Sequence, residues 1–187
     1  MMVESLSGCS YPFGTHYLVV VSPDLSAARQ ADVVEAAGRW EASTVELGFD
    51  FVVAYCDERG PHPGEICVVP MEQAAVARMC GNRLADAIGC TTRSRTDDAS
   101  TVGLASLTEQ GEPIDDDLQA RVAMHELGHA MGLQHAGHET IMCRAMSCAS
   151  ESVTCDDVEQ FWELRGSAWP DQLCRIPAPT VGKDAGD

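Results

Sequence analysis

One short stretch constrains this chain more than any other, because it reads HELGHAMGLQH and carries three histidines at a fixed spacing. The first two, His125 and His129, would lie one turn apart on the same face of an α-helix, so both imidazoles could reach a single metal ion. Gly132 can adopt a backbone conformation that other residues avoid, which lets the helix end and brings His135 round as a third ligand. The stretch therefore predicts a metal site whose fourth position is open to water.

Glu126 lies next to the first ligand and would stand beside that water as a general base. The complete pattern, HExxHxxGxxH, resembles the zinc signature of the metzincin clan of metallopeptidases. A bare HExxH recurs by chance in many helices, but Gly132 and His135 add two requirements that only a bend after the helix explains. The alternative is an ordinary amphipathic helix with surface histidines, which gives no reason for this spacing.

The resemblance implies one catalytic zinc ion and a polypeptide substrate in extended conformation. It predicts an endopeptidase, because a substrate strand across an open cleft passes both sides of the metal. Zinc would lower the pKa of its water toward ~7 and polarise the scissile carbonyl, while Glu126 takes the proton and passes it to the leaving amine. The alternative is a zinc-containing peptide- or protein-binding module without turnover. Glu126 argues against that alternative, because a structural zinc needs no base.

Metzincins also have a tight turn beneath the zinc that carries a methionine, and Met142 stands seven residues after the third histidine. The resemblance assigns Met142 a supporting role under the zinc without binding it, and Met146 is the rival for that role. The short spacing resembles the matrixins most closely among metzincins. Arg144 occupies the position at which astacins have a tyrosine, and the cysteines around the turn depart from the usual matrixin pattern.

The order of sequence patterns fits an α+β fold, and the resemblance implies a zincin-like one: a twisted mixed sheet with a packing helix, a zinc-site helix and a C-terminal helix. Apolar runs at 16–21, 49–55 and 66–69 predict three strands. A helix capped by Asp24 or Ser26 separates the first two strands. A strand, a helix and a strand with a crossover of this length imply parallel pairing.

The segments before the zinc motif predict the surroundings of the site. Residues 72–87 predict a broken helix or a structured loop, and residues 92–100 predict an exposed polar loop. The weakly alternating stretch 101–108 predicts a strand, which the resemblance places at the rim of the cleft, where substrate would dock as an extra antiparallel strand. The aspartates 115–117 would begin the zinc-site helix, where negative charge suits the positive end of the helix dipole. They lack EF-hand spacing and give no indication of calcium.

The last helix and the chain ends set the expected domain limits. Thr154 can cap an amphipathic helix that ends at Gly166. A chain of 187 residues is long enough for one domain with a sizeable core and short for two. We expect one metallopeptidase domain at 15–174, with 1–14 as a leader or arm and 175–187 as a flexible tail.

The charge balance excludes several classes of partner. The formal net charge is -17, from 29 acidic and 12 basic residues, and would repel nucleic acid and anionic lipid. No apolar run approaches the ~20 residues of a membrane span. We therefore expect no binding to nucleic acid and no membrane span. We also expect a monomer.

The nine cysteines are more than a reduced cytosolic domain of this size usually carries. We expect disulfides and a secreted, cell-surface or periplasmic protein, although no signal peptide is visible in this chain. Cys56 and Cys67 flank a loop and are candidates for one bridge. The cysteines stand at positions 9, 56, 67, 80, 90, 143, 148, 155 and 174.

Cys9 is the candidate for the cysteine that an odd count leaves over. Three interpretations stay open for it, in this order: an ordinary disulfide or chance, a lipid anchor, and a zymogen switch whose thiolate caps the zinc. The lipid anchor rests on 6–9, which reads LSGC and resembles a bacterial lipobox. The residues before it supply neither a basic region nor an apolar stretch.

Overall fold

A computed structural model describes residues 15–166, apart from residue 45 and the segments 82–85, 95–97, 109 and 146–148. The expected leader, the expected tail and several singled-out residues lie outside the described residues. These residues are Cys9, Met146, Cys148 and Cys174.

A five-stranded mixed sheet forms one layer of the fold; the sequence predicts four of these strands, and the resemblance implies a mixed sheet. The strands are β1 (His16–Val21), β2 (Gly48–Val53), β3 (Glu65–Pro70), β4 (Gly89–Arg93) and β5 (Ser100–Leu104). Their order is β2-β1-β3-β5-β4, with four parallel strands and an antiparallel β4 at one edge. The parallel pairing predicted for the first three strands is confirmed.

Four helices accompany the sheet among the described residues: α1 (Ala27–Ser43), α2 (Gln73–Met79), α3 (Asp116–Ala130) and α4 (Cys155–Leu164). Three of these helices are capped by the polar residues that the sequence predicts. The Ser26 hydroxyl accepts from Arg29 N, the Asp115 carboxylate accepts from Leu118 N, and Thr154 forms a capping box with Asp157. The packing helix, the helix with the histidine motif and the C-terminal helix therefore begin where their polar residues predict.

The sequence-based placement of the rim strand is wrong. The strand predicted at 101–108 is β5, which lies inside the sheet between β3 and β4 and ends at Leu104. The edge of the sheet is β4, and its last residues fall in the stretch 92–100 that was predicted to be a loop. The short polar sequence of β4 has little strand signal of its own. Its place in the sheet comes from its antiparallel pairing with β5.

The main core lies between the sheet and helices α1, α3 and α4. Trp40 of α1 is fully buried, and its indole N–H donates to the carbonyl oxygen of Met124 in α3 over 2.9 Å. Phe161 of α4 is fully buried in the same cluster. The helix that carries the histidine motif therefore shares one apolar cluster with α1 and α4, and a buried hydrogen bond also joins it to α1.

Disulfides hold the loops around the sheet. The bridge expected between Cys56 and Cys67 is present, with 6.0 Å between their Cα atoms. Cys80, which follows α2, is bonded to Cys90 of β4. Cys143 and Cys155 are disulfide-bonded as well. In the described part of the chain, no helix has the length and apolar character to cross a membrane.

Candidate metal centre

Helix α3 and the bend after it bring the three histidines together. His125 and His129 lie on the last turns of α3, which ends at Ala130. Gly132 has a φ of 101°, a conformation that favours glycine, so the chain turns here as the sequence predicts. His135 then returns toward α3, and its Nε2 lies 3.2 Å from Nε2 of His129.

One nitrogen of each histidine on α3 is fixed by a backbone carbonyl. His125 Nδ1 lies 2.8 Å from the oxygen of Ile141, and His129 Nδ1 lies 2.8 Å from the oxygen of Leu133. Because a carbonyl only accepts, both Nδ1 atoms must donate, and the Nε2 lone pairs are left for a metal. The carbonyls therefore select the tautomer that a metal ligand needs.

The three imidazoles form a donor set that fits a zinc ion. One ligand atom from each histidine can be chosen so that all three lie within 4.8 Å of one another, and no other such group of metal-binding side chains occurs in the described part of the chain. Burial lowers the pKa of His125 and of His129 to about 4, so both rings are neutral at neutral pH. Three neutral imidazoles on one side of an open cleft match the ligands of catalytic zinc.

Glu126 is buried beside the histidines and is held from the edge of the sheet. Its side chain accepts a hydrogen bond from the Thr91 hydroxyl, with 2.7 Å between Oγ1 and Oε2. Burial raises the pKa of Glu126 to about 7, and the Thr91 hydrogen bond opposes that rise. Gly89 allows this close packing, because a Cβ there would lie 2.9 Å from Cγ of Glu126 and 2.5 Å from Cγ1 of Val122.

Met142 lies directly behind α3 in a turn that α4 holds in place. Its side chain is fully buried, and a Cβ on Gly128 would lie 2.3 Å from the Met142 sulfur. The backbone N–H groups of Ile141 and Met142 donate to the Asp157 carboxylate over 3.0 and 3.2 Å. Asp157 is itself fully buried at the start of α4. Because Ile141 also accepts from His125, the turn connects α4 to the metal centre.

A cleft of about 1230 Å³ opens over the centre. Strand β4 lines one side and α3 the floor, and the segment after Met142 contributes Arg144. The three histidines and Glu126 all line this cleft. The structure therefore brings every sequence-predicted site residue to one place, with Met142 behind the histidine helix.

Sequence reasoning missed three residues that shape the centre. Thr91 lies on the strand that was overlooked, and its only signal is a pair of β-branched residues after Gly89. Asp157 reads as a helix-capping residue, and nothing in the sequence reveals its second partner, the turn at 141–142. Gly128 falls inside the histidine motif at a position that the motif leaves open, so its close contact with Met142 has no local signature.

Comparison with protein families identifies the part of the chain that holds this centre. Residues 84–166, which run from just before β4 to the end of α4, match the family model Peptidase_M10, described as matrixin. The chain carries a metzincin-type, matrixin-like domain. The family match and the three-histidine group together identify this domain as a zinc metallopeptidase, which is a metalloendopeptidase of the hydrolase class.

Other comparisons add little to this assignment. High choriolytic enzyme 1, a hatching enzyme zinc-protease from Oryzias latipes (medaka fish), is 13% identical to the chain. The match covers 82% of this chain and 90% of that one, with a TM-score of 0.45, and we infer nothing about this chain from it. No curated protein matches the sequence.

Proposed function

We propose that the matrixin-like domain hydrolyses internal peptide bonds of extended polypeptides with one zinc ion held by His125, His129 and His135. The observation that carries this proposal is the convergence of these three histidines beside a buried carboxylate in one cleft. Bound zinc would supply a Lewis acid and acidify the attacking water. The protein's own residues must orient the reacting groups and transfer the proton.

Glu126 is the proposed general base. It accepts the proton of the attacking water and returns it to the leaving amine, so one carboxyl group serves both halves of the reaction. Its position next to His125 in sequence and in the lining of the same cleft supports this role. Met142 supports the histidine helix from behind through its contact with Gly128, and it binds no metal.

The edge of the sheet provides the proposed substrate-binding surface. Strand β4 pairs with β5 on one side and ends the described sheet on the other. An exposed edge can take up an extended peptide as an added strand, with main-chain hydrogen bonds giving affinity. Because β4 lines the cleft over the centre, such a peptide would pass the metal with residues on both sides. This arrangement favours internal bonds over terminal ones.

The disulfides support a location outside the cytoplasm. Six of the nine cysteines are disulfide-bonded among the described residues. Such bonds persist in oxidising compartments and are rare in reducing ones. We propose a secreted, cell-surface or periplasmic protein.

The test is peptide-library cleavage by the purified protein, with Glu126→Gln as the decisive variant and Glu163→Gln, on the exposed face of α4, as its control. We expect wild type and the control to cleave, a chelator to abolish cleavage, and zinc to restore it. Glu126→Gln should keep its zinc and lose about 100-fold to 10,000-fold in rate.

Two results would count against this function. Cleavage that survives both the chelator and Glu126→Gln would mean that the centre is not the active site. Tight, uncleaved binding of substrate-like peptides by the zinc-loaded wild type would instead favour a binding module without turnover.

A further inference from the structure

The geometry around β4 points to a further residue of the site. We propose that Thr91 is a positioning residue that holds the Glu126 carboxylate in the orientation needed for proton transfer. The inference rests on the proposed role of Glu126 as general base. It concerns a side chain on the sheet edge, outside the histidine motif.

Two hydrogen-bond distances support this role. The Thr91 oxygen lies 2.7 Å from Oε2 of Glu126 and 3.0 Å from the backbone oxygen of the same residue. Both of these atoms accept, so the single hydroxyl hydrogen is shared between them or directed to one. The hydroxyl thus lies within hydrogen-bond distance of both the carboxylate and the backbone of Glu126, and the shorter distance is to the carboxylate. A glutamate has three rotatable side-chain bonds, and one contact at its tip removes much of that freedom.

The strand that carries Thr91 is itself firmly placed. β4 is bonded to β5 along its length, and the Cys80–Cys90 disulfide ties the preceding residue to the end of α2. At Gly89 the strand approaches Glu126 so closely that a Cβ would lie 3.0 Å from Oε1. The Thr91 hydroxyl therefore has a fixed position from which to orient a carboxylate.

The test compares variants that separate the hydroxyl from the size of the side chain. Thr91→Val keeps the shape and removes the hydroxyl, while Thr91→Ser keeps the hydroxyl and removes the methyl group. Thr101→Val, on the internal strand β5, is the matched control for the same substitution outside the cleft. We expect Thr91→Val to lower kcat by about 10-fold to 100-fold at nearly constant KM, because the lost bond acts on the base and not on substrate binding.

Thr91→Ser should retain most of the wild-type kcat, and Thr101→Val all of it. If Thr91→Val folds poorly, Thr91→Ala takes its place, because the alanine and serine variants differ only by the hydroxyl. Equal kcat values with and without the hydroxyl, in a protein whose cleavage is chelator-sensitive, would overturn the role of Thr91 alone. A wild type without chelator-sensitive cleavage would overturn the proposed function, and this inference with it.

A different observation concerns charge in the cleft. Arg144 follows the methionine turn, is exposed and lines the cleft together with His135. Within the described part of the chain its guanidinium has no hydrogen bond or ion pair, whereas the guanidinium groups of Arg29, Arg39 and Arg93 each contact a carboxylate. Among the described residues, a cation without a carboxylate partner therefore lines the cleft beside the centre.

We infer that Arg144 binds a substrate carboxylate close to the scissile bond, and that the protein prefers peptides with an acidic side chain there. A guanidinium pairs with a carboxylate through two parallel hydrogen bonds, which gives both affinity and orientation. The net charge of -17 would otherwise disfavour acidic peptides, so a local cation is needed to accept one. This inference also rests on the proposed peptidase function.

Peptide pairs test this preference. Each pair differs only by glutamate or glutamine at one position near the scissile bond, and all carry amidated C termini so that no terminal carboxylate competes. We expect wild type to favour glutamate at one position by about 10-fold in kcat/KM. Arg144→Ala should remove this preference, and Arg144→Glu should reverse it toward glutamine. Arg78→Ala, which removes an equivalent exposed charge from α2 outside the cleft, should leave the preference unchanged.

Equal cleavage of glutamate and glutamine peptides by wild type would overturn the role of Arg144, as would a preference that survives Arg144→Ala. A strict requirement for a free C-terminal carboxylate in a parallel set of unamidated peptides would show that the guanidinium binds the C terminus of the substrate instead of an acidic side chain. If no peptide is cleaved in a chelator-sensitive way, the proposed function fails.

Discussion

The contact between Gly128 and Met142 gives a prediction whose sign can be read from the structure. A Cβ at position 128 would lie 2.3 Å from the Met142 sulfur and 3.1 Å from a ring carbon of Trp40. Both neighbours are fully buried, so neither can move into solvent. Gly128→Ala should therefore overpack the region behind the histidine helix, at a cost of about 2 kcal/mol.

The substitution also stabilises the helix, and this gain in free energy must be subtracted from the cost of overpacking. Alanine is favoured over glycine in a helix interior by about 1 kcal/mol, so the net loss for Gly128→Ala should be about 1 kcal/mol. Gly38 in α1 offers a matched control, because a Cβ there meets no atom within 4 Å. Gly38→Ala should keep the helix gain and stabilise the protein by about 1 kcal/mol. The two variants should differ by about 2 kcal/mol, which is the overpacking alone.

Denaturant unfolding of the metal-free variants measures this difference in the free energy of unfolding, and thermal unfolding should show it as about 4 to 8 °C in Tm. Metal-free protein is needed because bound zinc adds its own stabilisation. Equal stability of the two alanine variants would refute the reasoning, since it would mean that Met142 moves aside without cost.

Three other predictions follow from the same contacts. Asp157→Asn should lower the free energy of unfolding by about 1 to 3 kcal/mol, because the Asp157 carboxylate accepts from two N–H groups of the turn behind the centre. The same variant should bind zinc more weakly in a competition assay. Unchanged stability and zinc affinity would mean that the turn does not support the metal site. Trp40→Phe should cost about 1 to 3 kcal/mol in denaturant unfolding, because the buried Met124 carbonyl loses the indole donor, and a neutral result would mean that this carbonyl finds another partner. Free zinc at about 100 times its Kd should raise the free energy of unfolding by about 2.7 kcal/mol over the metal-free protein, and the shift should vanish in His129→Ala.

Local signals made much of the fold and the centre predictable. The first three strands are largely apolar and rich in valine, and two helices begin directly after Ser26 and Thr154, whose side chains cap them. The histidine spacing in α3 and the bend at Gly132 also follow from helix geometry and glycine conformation. Each of these features depends on residues close together in the chain.

The parts that were missed depend on residues far apart in the chain. Strand β4 is short and polar, and its place is set by pairing with β5, so the rim of the cleft was assigned to the wrong strand. Thr91 meets Glu126 across 35 positions, and Asp157 meets Ile141 across 16. Such contacts follow from tertiary packing and carry no periodic signal.

Zinc titration of the metal-free protein tests the central claim most directly. Cleavage of one peptide is followed while zinc is added in known amounts, with binding measured in the same samples. We predict that activity is absent without zinc, rises with each addition and reaches its plateau at about one zinc per chain, as a single three-histidine catalytic site requires. Full activity before any zinc is added, or none when the site is saturated, would contradict the account.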